Sequence, residues 1–293
     1  MTDRGEPFDF ADILNLRQSG NAVWEGPPGP GVGDRLFGGH ALAQALMAAS
    51  LAEDADRLAH SLHANFLNLG HAEEVTRYEV TELAEGRSFA RRRVDAYQGK
   101  RAILTMTVSL QMEESGLEHS DGLPDVDDVH TARARLEAWK AQQEDFDALP
   151  ILGRLWERPV ETVPLDVQSL FGSAPLAPRS GCWMRAREKQ PSNPAMARAG
   201  MAYASDMLFL RNSLLPHSVR PGDRRMQVAS LDHAMWFHAT PEFSNWHLYA
   251  TESPWAGSAR GLNQGKFFAA DGTLVASVAQ ENLMRDLRGG RGA

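Results

Sequence analysis

Asp206 lies in the run Ala202-Tyr203-Ala204-Ser205-Asp206-Met207-Leu208-Phe209-Leu210, which reads as helix and holds no basic residue. Its neighbours at three and four positions are Ala202, Tyr203, Phe209 and Leu210. A carboxylate on such an apolar face is costly to bury unless something specific pairs with it. It is either bonded to a nearby backbone or hydroxyl group, or it serves as a general base that orients water. Ser230 and Gln280 fall in strand-like runs. Taken singly, such residues mostly serve structure. Together with Asp206 they supply an acceptor, a hydroxyl relay and an amide, and these three groups can hold and polarise one water molecule.

Other chemistry is less well supported. No Gly-x-Ser-x-Gly elbow occurs, so Ser230 is not expected to be an acylated nucleophile. Asp232 and His233 follow closely, but strand alternation would place His233 on the face opposite Ser230. Gly38 and Gly39 open a helix whose first amides lack internal acceptors. They could receive an oxyanion, or they could simply let helix and sheet approach. His40, the next residue, joins them as a potential oxyanion or substrate contact. It shares a helical face with Gln44, but no third metal ligand can be placed. The chain has no His-Glu-x-x-His, no Cys-x-x-Cys and no P-loop, and Gly29-Pro30-Gly31-Val32-Gly33 lacks dinucleotide spacing and reads as a turn. No metal and no cofactor are therefore expected. The single cysteine, Cys182, cannot form an internal disulfide and reads as a structural thiol at a strand start. Trp183, Trp236, Trp246 and Trp255 read as core or interface residues.

The elements that must position these residues fall into two similar series. A helix over 37–52, apolar on nearly all sides, should be buried all round. Strand-like runs follow at 62–67, 75–83, 88–97 and 102–111. That order suits a sheet curled around a central helix. A second helical pattern over 194–210 precedes strand-like runs at 227–238, 247–251, 259–269 and 273–285. Ser61-Leu62-His63-Ala64 echoes the segment from Ser230 to Ala234, and Gln111 echoes Gln280, both at a shift of 169. Repeated spacing of this kind predicts duplication of one helix-plus-sheet unit. The expected organisation is an N-terminal lobe over 1–114, a linker over 115–153 with an acidic start and a surface helix at 131–144, and a C-terminal lobe over 154–293. The helix of the first lobe contains no acid, so the expected site belongs to the second.

Composition narrows the partners. The chain has 293 residues, 43% hydrophobic and 23% charged, with a formal net charge of −8. That is ordinary globular composition, and the acidic balance argues against nucleic-acid binding. A local patch such as Arg91, Arg92 and Arg93 could still take a small anion. No apolar run reaches the ~20 residues of a membrane span, and neither end reads as a targeting address, so a cytoplasmic location is expected.

At several points the chain resembles the acyl-CoA thioesterase II family. The matching stretches begin with Leu36-Phe37-Gly38-Gly39 plus Gln44-Ala45-Leu46, and Gly86-Arg87-Ser88-Phe89 plus Arg92-Arg93-Val94. They continue with Tyr203-Ala204-Ser205-Asp206, Asp232-His233-Ala234-Met235-Trp236-Phe237-His238 and Ser258-Ala259-Arg260-Gly261. The last is Leu274-Val275-Ala276-Ser277 with Gln280-Glu281 and Met284-Arg285. The resemblance implies an α+β double hotdog: two tandem repeats of a long central helix wrapped by a curved antiparallel sheet. It implies hydrolysis of acyl-CoA to free fatty acid and CoA without a cofactor, and assembly into a homodimer or homotetramer. The family's catalytic Asp, Ser or Thr, and Gln fall by motif on Asp206, Ser230 and Gln280. Two departures are visible, His40 where the family usually has Gln, and Asn68-Leu69-Gly70 where it usually has Arg-Pro-Gly. They motivate an alternative, a non-catalytic acyl-CoA-binding hotdog protein. A hotdog enoyl-CoA hydratase is a third reading, but its paired Asp and His are not found.

Overall fold

The computed structural model describes residues 8–143, 158–172, 174–188, 193–217, 219, 223 and 225–287. A short helix α1 (Phe10–Ile13) leads into β1 (Arg17–Gly20) and β2 (Val23–Gly26). A small hairpin, β3 (Gly31–Val32) and β4 (Arg35–Leu36), precedes α2 (Gly38–Leu51). Four long strands follow: β5 (Arg57–Phe66), β6 (Thr76–Glu85), β7 (Phe89–Gln98) and β8 (Arg101–Met112). Next come α3 (Val129–Lys140), β9 (Val160–Pro164), α4 (Val167–Phe171), β10 (Arg179–Ala186) and α5 (Pro194–Ser205). The described chain closes with β11 (Met226–Ser230), β12 (Asp232–Phe237), β13 (His247–Gly257), β14 (Arg260–Ala269) and β15 (Leu274–Asp286).

Among the described residues, thirteen strands form one antiparallel sheet in the order β1-β2-β6-β7-β8-β5-β12-β15-β14-β13-β10-β9, with β11 also on β15. The two halves meet where β5 pairs with β12, Asp232 opposite Asn65 and Trp236 opposite Ser61. Helices α2 and α5 pack on each other, and α2 also lies against β5, β6, β7 and β8. Every residue of α2 from Gly39 to Ala49 is buried, as an all-round apolar helix requires. Small residues on both helices allow that approach. At Gly39 a Cβ would stand 2.4 Å from the Tyr203 carbonyl oxygen.

Three local expectations need correction. The second helix stops at Ser205 rather than 210. Asn193 caps its start by accepting from the Ala195 and Met196 amides, and Pro194 fits the first turn. Its end is forced by Leu208, whose φ of 64° is left-handed. That conformation costs a non-glycine residue roughly 1–2 kcal/mol, and the helix cannot continue through it. The strand expected over 227–238 is broken at Leu231. Ser230 pairs with Asn282, yet Ala234 pairs with Ala279, so one extra residue is accommodated between them as a bulge.

The third correction concerns the repeat. Across β5 and β8, Ser61 stands opposite Ser109 and Leu58 opposite Gln111. Across β11 and β15, Ser230 stands opposite Asn282. Ser61 and Gln111 therefore occupy a different register from Ser230 and Gln280, and Gln111 instead donates to Glu114. The shift of 169 matches letters rather than equivalent sheet positions. Among smaller differences, the surface helix runs Val129–Lys140, capped by Asp128 accepting from the Thr131 amide. Its expected end at 144, and the linker end at 153, lie outside the described residues. Cys182 sits inside β10, buried, with its thiol pushed up to about 12. Trp183 is buried, whereas Trp236 and Trp255 are exposed.

Candidate active site

Asp206 follows the last residue of α5, at the point where Leu208 turns the chain. Its carboxylate faces the N-terminus of α2. The Gly39 amide donates to Oδ2 at 2.9 Å. That end of a helix carries unpaired N–H groups and partial positive charge, so it stabilises an anion. Gly38 lies against the same oxygen, since a Cβ there would be 2.7 Å from Oδ2. The glycine pair read as an anion-binding helix start thus meets the chain's own carboxylate.

The sheet brings the other two residues to the opposite oxygen. Ser230, at the end of β11, donates to Oδ1 at 3.4 Å, and Gln280 Nε2 on β15 donates to Ser230 Oγ at 3.0 Å. The first of these is long beside the ~2.7–2.8 Å usual for O–H···O. Ser230 is half-buried, while Asp206 and Gln280 are 7% and 1% exposed. Burial pushes the Asp206 pKa up to about 6. The Gly39 amide, the Gln280 amide, the Arg158 charge and the Ser230 hydroxyl oppose that rise, in descending order. A carboxyl group placed so is ready to exchange a proton near neutral pH.

His233 lies elsewhere than sequence alternation indicated. The bulge at Leu231 restores it to the face shared with Ser230 and Gln280. Even so, it makes no relay with Ser230. Its Nδ1 is 2.6 Å from Gln280 Oε1 and its Nε2 is 2.8 Å from Ser205 Oγ. Both ring nitrogens are engaged away from the Ser230 hydroxyl, which leaves a Ser–His–Asp nucleophile unsupported.

His40 is fully buried and shares no hydrogen bond with the trio. Its Nε2 lies 3.1 Å from the Pro27 carbonyl, and its Nδ1 has no partner. Burial lowers its pKa to about 4. Gln44 beside it donates to the Ile13 and Pro27 carbonyls and accepts from Tyr78. The pair ties the N-terminal segment to α2. Two arginines of the Arg91–Arg93 patch are already paired with carboxylates. Arg92 is buried against Glu53 and Glu85 at 2.7 and 2.6 Å, and Arg93 pairs with Asp95 at 3.0 Å.

Arg158 escaped the sequence reading, because a lone arginine before a proline carries no motif. It is 4% exposed, donates to the Pro30 and Gly31 carbonyls and to Tyr203 Oη, and lies 4.0 Å above the Phe37 ring. It thereby fixes the loop before α2 and the helix that carries Asp206. Met47, Met207 and Phe209 are all buried. Among the described residues no group of three or more His, Cys, Asp or Glu could hold a metal ion, and no helix is long and apolar enough to cross a membrane.

Comparison with known proteins bears on what this geometry does. A family model described as "Acyl-CoA thioesterase" matches residues 154–283, and one described as "Acyl-CoA thioesterase N-terminal domain" matches residues 27–111. The chain is 34% identical to "Acyl-CoA thioesterase 2" of Haemophilus influenzae, over 86% of this chain and 88% of that protein. It superposes on acyl-CoA thioesterase II TesB2 from Mycobacterium marinum with a TM-score of 0.77 at 32% identity, covering 96% and 99% of the two chains. A hot dog fold protein from Alicyclobacillus acidocaldarius gives a TM-score of 0.74 at 19% identity, over 94% and 97% of the chains, a likeness of fold alone.

Proposed function

The chain belongs to the acyl-CoA thioesterase family, and on that premise we propose that it hydrolyses acyl-CoA thioesters with a water held by Asp206, Ser230 and Gln280. The observation that carries this reading is the convergence of three polar side chains on one half-buried point. Asp206 Oδ1 accepts from Ser230, and Ser230 accepts from Gln280. Water bound there gives one proton to Asp206 as its oxygen attacks the thioester carbonyl carbon. The C–S bond then breaks, and the CoA thiolate takes that proton back from Asp206, leaving free fatty acid and CoA. A carboxyl with a pKa of about 6 can serve in both directions.

The helix start supplies the second electrostatic element. Gly39 gives its amide to Asp206, and we assign the oxyanion contact to the Gly38 amide, which as a first-turn group has no intrahelical acceptor. The α2 and α5 helices, each followed by long antiparallel strands, support a double hotdog of two tandem units with lobes at 1–114 and 154–293 and a linker at 115–153. The same reading carries an acyl-CoA substrate, a cytoplasmic setting and a homodimer or homotetramer. Light scattering on the purified protein measures the last.

The direct test mixes purified protein with acyl-CoAs of several chain lengths and follows thiol release. Asp206→Asn is expected to lower turnover at least ~100-fold. Full turnover by that variant removes Asp206 from the mechanism. Binding of every acyl-CoA without turnover by the unaltered protein establishes the non-catalytic alternative.

A further inference from the structure

We infer that His233 is a positioning residue for this hydrolysis, which dictates the facing of the Gln280 amide and so presents the amide nitrogen to Ser230 and the attacking water. The inference rests on the water-positioning reading above and adds a residue which that reading does not use. A glutamine amide can sit in a site in two orientations, with its oxygen and nitrogen exchanged. Only one of them serves here. Gln280 Nε2 donates to Ser230 Oγ at 3.0 Å, which turns Oε1 toward His233 Nδ1 at 2.6 Å. A carbonyl oxygen only accepts, so Nδ1 must carry a hydrogen.

The other ring nitrogen then takes the complementary role. His233 is 1% exposed, and burial lowers its pKa to about 4, so the ring is neutral at pH 7 and has one N–H and one lone pair. Ser205 Oγ stands 2.8 Å from Nε2 and can give its hydroxyl hydrogen there. The Ala202 carbonyl lies equally close to that hydroxyl, but the neutral Nδ1–H ring makes Nε2 the acceptor. The Phe209 ring, its centroid 6.1 Å from that of the imidazole, walls it from one side. In the reversed orientation, Gln280 would offer its oxygen to Ser230. Two acceptors, that oxygen and the Asp206 carboxylate, would then contend for one hydroxyl hydrogen, and the amide donor would be lost to the site.

The connections close a ring. Ser205 and Asp206 are consecutive at the end of α5. Ser205 contacts His233, His233 contacts Gln280, Gln280 contacts Ser230, and Ser230 contacts Asp206. One turn of helix therefore delivers both the carboxylate and the hydroxyl that faces the second ring nitrogen. His233 hydrogen-bonds to neither Ser230 nor Asp206, so its action passes through Gln280.

The test is a double-mutant cycle on thiol release with folded, purified enzyme. His233→Leu is expected to lower kcat on the order of 10²-fold with KM little changed, because it frees the amide to misorient. His233→Asn can place an N–H near the position of Nδ1 and should recover most of that loss. His233→Gln reaches instead toward the position of Nε2 and should not. In a Gln280→Ala background, His233→Leu should cost nothing further. Unchanged kcat in His233→Leu, or an equal loss in both backgrounds, overturns the inference. If the leucine variant does not fold, equal activity of the Asn and Gln variants overturns it instead. Asp206→Asn separates the two claims. If it keeps full turnover, the water-positioning reading and this inference both fall. If it is inactive while His233→Leu is silent, only the inference about His233 falls.

Discussion

The Gly39 amide and the Asp206 carboxylate, 167 residues apart in sequence, meet at 2.9 Å. The start of the N-terminal central helix is therefore a structural part of a site whose polar side chains all come from the C-terminal half. A helix N-terminus near a carboxylate contributes about 0.3–1 kcal/mol when exposed and up to about 2 when partly buried. The contact fixes the position of Asp206 more than it adds stability.

Gly38 follows from that contact. A Cβ there would sit 2.7 Å from Asp206 Oδ2 and 3.1 Å from the Phe66 ring. Gly38→Ala should push the short Asp206 side chain away from its place while the helix still forms. The expected result is a fall in kcat of about 10-fold, with a melting temperature close to that of the parent. Thiol-release kinetics and circular dichroism measure the two halves of this expectation.

With Asp206 as the proposed base, its ionisation should set the acid limb of activity. The group must be ionised to take a proton from water, and burial holds its pKa at about 6. The value of kcat/KM should therefore fall about tenfold per unit as pH drops below that point. A profile flat from pH 7 down to pH 5 speaks against Asp206 as the base.

The same shift makes Asp206 a liability for stability. The group ionises at 3.8 in the unfolded chain and at about 6 in the folded one. A raised pKa contributes stability in full below 3.8, and that contribution is lost as pH rises through 6. Above that window the buried charge costs about 3 kcal/mol. Asp206→Asn should thus be inactive yet more stable than the parent at pH 8, by about 1–3 kcal/mol in urea unfolding, and no more stable at pH 3.5.

His40 works in the opposite direction. Its pKa falls from 6.5 to about 4 on burial. A lowered histidine contributes stability above 6.5, and this is lost as pH falls through 4. Between pH 7 and pH 5 the unfolded chain takes up a proton that the folded chain refuses, a cost of about 2 kcal/mol. His40→Gln can keep a donor toward the Pro27 carbonyl and should remove most of that acid sensitivity. Urea unfolding of both proteins at the two pH values gives the comparison.

Under the same proposal, Arg158 should tune the acid limb from a distance. Its charge holds the Asp206 pKa below where burial alone would put it. Arg158→Met should move the acid limb of kcat/KM to higher pH. A variant that folds and keeps an unmoved limb shows that Arg158 acts through its structural contacts, the Pro30 and Gly31 carbonyls and Tyr203 Oη among them, and not through its charge.

Much of this protein is legible in local sequence. The all-apolar run of α2 and the long alternating strands follow from side-chain periodicity. Asp206 declares itself as an acid among apolar neighbours, whereas Ser230 and Gln280 are weak signals alone and are matched to it by the family's motif positions. What the sequence leaves out depends on partners distant along the chain. The left-handed Leu208 ends α5 earlier than its helix formers indicate. The bulge at Leu231 exists only relative to β15, and one added residue reverses which face every later side chain occupies. His233 thus moves from the far face to the ring around Gln280. Likewise, the 169-residue echo of Ser61 and Gln111 preserves letters while the strand pairing sets a different register. Periodicity is a property of neighbours within a few residues, whereas register, bulges and the meeting of Gly39 with Asp206 are fixed by packing between segments far apart in the chain. Sequence determined which chemical groups this protein carries and in which elements they lie, and tertiary structure decided which of those groups touch.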